Sequence, residues 1–163
     1  YDNLGSHQEL SKVIVEKHCD KFEISDLSSS KFKRYTLKNA ETTRKNHASG
    51  LLKGLAYLRG GAKQSAFGAD VSPKVLILAG MKSANPVFNN LFVGTGEKPA
   101  LNIETLKQIA SDYRDKLSTP IYIGIRSGYL QNEEDIKLLG EEFIIGSPIS
   151  IVNQFNENHL KNE

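Results

Sequence analysis

A chain of 163 residues with 39% hydrophobic and 25% charged composition is long enough for one packed core, and it lacks the bias of a disordered segment. A formal charge of only +2 excludes a uniformly basic or acidic protein, and the single cysteine, Cys19, excludes an internal disulfide and points to a reducing, cytoplasmic setting. No apolar run approaches the roughly 18 residues of a membrane span and no charged-then-apolar leader is visible, while a start at Tyr1 leads us to expect a piece of a longer protein with no membrane partner.

In chain order, His7 to Asp20 places Leu10, Val13 and Ile14 at helical spacing, and Phe22 and Ile24 then alternate as in a strand. The stretch from Ser25 to Lys38 is serine-rich and basic and reads as a loop or exposed excursion. A helix is expected from Ala40 to Leu58, with Ala48, Leu51, Leu52, Leu55, Ala56 and Leu58 forming one apolar stripe and Gly60-Gly61 ending it. Lys74 to Met81 is a continuous apolar run of strand length, the pattern of a strand covered on both faces. Val87 to Val93 is a second candidate strand. Asn102 is an N-cap for a helix carrying Ile103, Leu106, Ile109, Ala110, Tyr113 and Leu117, and Pro120 breaks the chain before a strand from Ile121 to Arg126. This strand, helix, strand order predicts a right-handed crossover unit. Acids at Glu133-Glu134-Asp135 and at Glu141-Glu142 suit helix starts, and Ser147-Pro148 opens a terminal helix with Ile149, Val152 and Phe155 inward.

Charge is distributed unevenly along this framework. From Lys31 to Lys63 there are nine basic residues against the single acid Glu41, a net of +8, whereas from Gln131 onward seven acids face two lysines. A solvated helix face explains any one lysine equally well, but the set is what a polyphosphate chain attracts through counterion release. His47, Tyr35 and Phe32 are interleaved with the cations and could stack on bases. Catalysis has little support. His7, Cys19, His47 and His159 lack metal-ligand spacing, no nucleophile has an activating neighbour, and we expect no metal and no cofactor. Gly60-Gly61-Ala62-Lys63 could cradle a phosphate, yet it lies between a helix and a strand, the reverse of a Walker loop.

The run Leu58-Arg59-Gly60-Gly61-Ala62-Lys63-Gln64-Ser65-Ala66-Phe67, followed by Ala69-Asp70-Val71-Ser72-Pro73 and the strand from Lys74 to Leu78, resembles the DevR family of CRISPR-associated proteins. Those proteins form the repeated backbone subunit of the type I surveillance complex, Cascade. The likeness runs from about Ala40 to the C-terminus and matches a C-terminal portion, with residues 1–39 a flank or insertion. It implies an α+β fold in which residues 40–163 are part of an RRM-like, ferredoxin-type palm sheet with insertions. It also implies a non-enzymatic subunit that binds guide RNA independently of sequence, meets target DNA through that guide, and stacks on copies of itself and on other Cascade subunits. The RRM signature aromatics are not visible in the chain, so contact with the RNA backbone is the mechanism expected. Arg44, Lys45, Lys53, Arg59, Gly60, Gly61, Lys63 and Gln64 are the candidate RNA contacts. Arg59 offers a bidentate fork, Lys63 a point charge and Gln64 a neutral donor, and the glycines permit close backbone approach. Arg59 has a second reading as an internal residue holding the turn to the sheet. Two other functions remain open: a small α/β phosphate-binding enzyme that uses the Gly60-Gly61-Ala62-Lys63 turn, and a regulator acting through protein contacts alone.

Overall fold

A computed structural model describes residues 17–26, 33–59, 70–83, 86–94 and 96–161. The chain is mixed α+β and divides into two compact units, Tyr1–Lys45 and Asn46–Glu163. The division falls inside the helix α1 (Ala40–Ala56).

In the first unit a short 3-10 turn, Cys19–Lys21, leads into β1 (Phe22–Asp26), which pairs antiparallel with β2 (Lys33–Leu37). Lys33–Leu37, expected as loop, is therefore strand, because alternation of Tyr35 and Leu37 with Arg34 and Thr36 matches the alternation of Phe22 and Ile24 across the ladder. Phe22 and Tyr35 meet edge-on with ring centroids 6.3 Å apart. Residues 7–16 of the helix expected from His7 to Asp20, and the aromatic Phe32, lie outside the described residues.

The second unit is built on β3 (Val75–Leu78), β6 (Ile121–Ile125) and β7 (Phe143–Gly146), ordered β3-β6-β7. The central strand β6 is antiparallel to β3 and parallel to β7. The expected crossover unit ending in β6 is thus not the parallel one: β3 returns antiparallel, and the parallel connection is β6-α3-β7, with α3 spanning Glu133–Lys137. The strand β7 was not foreseen. Glu141-Glu142, expected to start a helix, instead occupy the turn that enters it.

Alternation along the strands sorts their side chains into two cores. On one face Ile121, Ile123 and Phe143 pack with Leu106 and Ala110 of α2 (Ile103–Asp112), with Leu130 and Ile136 around α3, and with Leu91 and Leu101. Leu101 belongs to β5 (Ala100–Leu101), which pairs with β4 (Phe92–Val93) as a two-rung ladder. On the other face Tyr122 packs with Ile151, Val152 and Phe155 of α4 (Pro148–Phe155) and with Ala56. As expected for a strand covered on both sides, β3 sends Val75 and Ile77 to the first core and Leu76 and Leu78 to the second. Each fully buried Leu or Ile contributes about 1.5–3 kcal/mol relative to exposure.

Local signals place the helix starts. Asn102 accepts from the Thr105 N–H at 3.1 Å, and Ser147 accepts from the Ser150 N–H at 3.2 Å with Pro148 in the first turn. α2 ends at Asp112, five residues earlier than the apolar spacing to Leu117 suggests, and Leu117 instead forms an isolated bridge to Met81. Gly124 lies directly under α4, where a β-carbon would come within 2.6 Å of the Pro148 Cα. After α4 the helix loosens into a π-helical turn, Asn156–Leu160, from which His159 Nε2 and Asn158 Nδ2 reach the Tyr122 hydroxyl at 3.0 and 3.2 Å.

Candidate nucleic-acid interface

The sequence assigns the candidate RNA contacts to α1 and the turn after it. Arg44 and Lys45 belong to the first unit and Lys53 to the second. Lys45 is half-buried and pairs with Glu41 one turn earlier at 3.1 Å, which spends part of its charge locally. Arg44 is exposed and already holds an interaction within the chain.

Lys53 and Arg59 fit the expectation better. Both are exposed, and neither side chain has a hydrogen bond or ion pair among the described residues. Arg59 is exposed, and the turn that its second reading has it holding lies outside the described residues. Gly60, Gly61, Lys63 and Gln64 lie outside the described residues.

The apolar stripe of α1 is displaced from its expected position. Leu52 and Ala56 face the second core, whereas Leu51 is 74% exposed and Leu55 and Leu58 are also exposed. Among the possible base-stacking aromatics, Tyr35 is half-buried against Phe22 and serves the hairpin, while His47 is exposed on α1.

Two further cations belong to the same electrostatic question and were missed from sequence. Lys74 and Arg126 stand across from each other at the end of the β3-β6 ladder, where the Arg126 N–H donates to the Lys74 carbonyl at 2.8 Å. They are 52 positions apart in the chain, so only the antiparallel register brings them together.

A cleft of about 420 Å³ opens beside the carboxyl ends of β6 and β7, lined by Ile125, Ser127, Glu133, Lys137, Ile145 and Gly146. Its ionisable groups are already engaged. Backbone N–H groups of Gly128, Leu130 and Tyr129 hold the Glu133 carboxyl below its ordinary range, the Leu130 N–H at 3.1 Å. Lys137 donates to Glu134 at 2.7 Å, which holds its ammonium above the ordinary range. A general acid requires a raised carboxyl pKa, and Glu133 is shifted the other way. No family model, curated protein or solved structure matches the chain.

Proposed function

We propose that this chain is the C-terminal portion of a DevR-type backbone subunit of a type I CRISPR surveillance complex, a non-enzymatic protein that binds guide RNA through phosphates in the cytoplasm. In this reading it meets target DNA through the guide and neighbours copies of itself and other Cascade subunits. The observation that carries it is the net +8 of Lys31 to Lys63, with Lys53 and Arg59 exposed and unpaired among the described residues next to Gly60-Gly61-Ala62-Lys63-Gln64. A backbone subunit must accept any guide sequence, and exposed cations without base-reading geometry suit that task. In an RRM-like, ferredoxin-type palm the antiparallel pair β3-β6 would be the shared part. The parallel strand β7 would be an addition to it.

The test is binding of mixed-sequence single-stranded RNA, followed by fluorescence anisotropy at several salt concentrations. Each phosphate contact contributes about 0.7 to the slope of log affinity against log salt. Lys53→Glu and Arg59→Glu should each flatten that slope and weaken binding, and Lys63→Glu should do the same. Binding that is independent of salt, or strongly selective for one RNA sequence, overturns the proposal.

A further inference from the structure

Antiparallel pairing usually avoids like charges directly across from each other, since their β-carbons stand only about 4.5–5.5 Å apart. The second unit has such a pair. Val75 is opposite Ile125, and the Arg126 N–H to Lys74 carbonyl bond carries the ladder one rung further, to two cations. The Lys74 ammonium is held by the Asp70 carboxylate and by the Ser72 hydroxyl, the latter at 3.2 Å. Asp70 also accepts the Ser72 N–H at 2.9 Å, which folds the segment back over Lys74. Arg126 is half-buried, and while its backbone bonds Lys74 and Tyr129, its guanidinium has no hydrogen bond or ion pair among the described residues. The Asp70 carboxylate therefore satisfies Lys74, and the Arg126 guanidinium is left without an anion among the described residues.

We propose that Lys74 and Arg126 form a subsite for a phosphodiester of the bound RNA, and that Asp70 occupies this subsite as an internal competitor when RNA is absent. A phosphate presents two or more oxygens at a spacing that bridges a cross-strand pair, and the Arg126 fork can take two of them. The Asp70 carboxylate offers Lys74 the same oxygen chemistry with less charge. RNA must displace it, so the site discriminates against weak or isolated anions. The subsite rests on the RNA-binding reading for the identity of its ligand, but its residues are distinct from those of α1 and the glycine turn.

The two substitutions that test it act in opposite directions. Arg126→Gln removes the charge from an unpaired side chain and should weaken mixed-sequence single-stranded RNA binding roughly tenfold at moderate salt. It should also flatten the salt slope by about 0.7. Asp70→Asn keeps the acceptor for the Ser72 N–H while removing the competing charge, and should tighten binding several-fold. Circular dichroism confirms that each variant keeps the wild-type fold. If wild-type protein binds RNA and Arg126→Gln binds with the same slope and affinity, the subsite is wrong while the RNA reading stands. Unchanged or weaker binding by Asp70→Asn overturns the competitor role. If the wild-type protein binds no RNA, the RNA reading fails and the phosphodiester assignment fails with it. Inorganic phosphate that displaces RNA at a concentration equal to the RNA phosphate would assign the pair to a free anion and overturn the backbone contact.

Discussion

Single residues decide where this chain can tolerate change, and its glycines show how. Gly124 sits where β6 passes beneath α4, and a methyl group there would meet the Pro148 Cα at 2.6 Å and the Pro148 nitrogen at 2.9 Å. Both are backbone atoms, so relief requires α4 to move off the sheet rather than a side chain to turn. Gly124→Ala should cost about 1–3 kcal/mol, the usual range for overpacking. Gly50 is the contrast: it lies in α1 with nothing among the described residues within 4 Å of a β-carbon, so Gly50→Ala should add about 0.5–1 kcal/mol through helix propensity. Urea denaturation of the two variants beside wild type checks both signs, and equal midpoints would refute the packing argument. Asn156 presents the complementary case of a residue whose surroundings do not suit it. It is buried at the start of the π-helical turn, and neither its side-chain amide nitrogen nor its side-chain carbonyl oxygen has a hydrogen-bond partner among the described residues. Such an orphaned pair works against the stability that Phe155 and Val152 contribute next to it.

At the scale of elements, the features legible in the sequence were those whose cause lies within a few residues. Asn102 and Ser147 cap helices because their side chains bond amides three positions on, and Glu133 was readable as a helix-start acid for the same reason. Features set by distant pairing were not legible. The four residues of β7, Phe-Ile-Ile-Gly, are too short a run to distinguish from the edge of a helix, and their parallel alignment depends on β6, 22 positions earlier. The stripe on α1 had the right period but the wrong centre. Periodicity shows that Leu51, Leu52, Leu55 and Ala56 share a broad arc, but not which side of that arc a neighbour covers, and here Leu52 and Ala56 are covered. The candidate site divides along the same line: Lys53 and Arg59 follow from local sequence, whereas the Lys74 and Arg126 pair requires the register of β3 on β6. The loop entering α3 gives a prediction at this scale. Glu133 has a folded pKa below its unfolded value of 4.5 because loop N–H groups favour its charged form. Its contribution is therefore present above pH 4.5 and is lost as pH falls through the lower, folded value. Glu133→Gln should lower the urea midpoint at pH 7, and that difference should shrink as the pH is taken below 4.5. A difference that persists unchanged at pH 3 would show that the ionised carboxylate is not what holds the loop.

For the molecule as a whole, the two units differ in how much they can bury, and this sets how independently each part opens. In Asn46–Glu163 the central strand β6 is hydrogen-bonded on both sides and covered on both faces, with Ile121, Tyr122 and Ile123 no more than 2% exposed. Exchange of its amides with solvent requires β3 or β7 to leave the ladder and one of the two cores to open. In Tyr1–Lys45 the described sheet has only two strands. Its apolar face consists of Phe22, Ile24, Tyr35 and Leu37, and Ile24 remains 52% exposed. An isolated two-stranded hairpin is marginal in water, because each strand gains one ladder and half a cover for the same loss of backbone entropy. Hydrogen exchange should therefore separate the two parts. The amides of Tyr122 to Ile125 should exchange only through the global opening, with protection that tracks denaturant stability, while those of β1 and β2 should exchange orders of magnitude faster through local opening. RNA supplies the second arm of the measurement. If cations of the first unit bind the phosphate chain, RNA should slow exchange in β2, whose Arg34 faces away from the Phe22 side, and leave β6 unchanged. Protection in β2 equal to that of β6 without RNA would mean that the hairpin draws its stability from more than its own two strands.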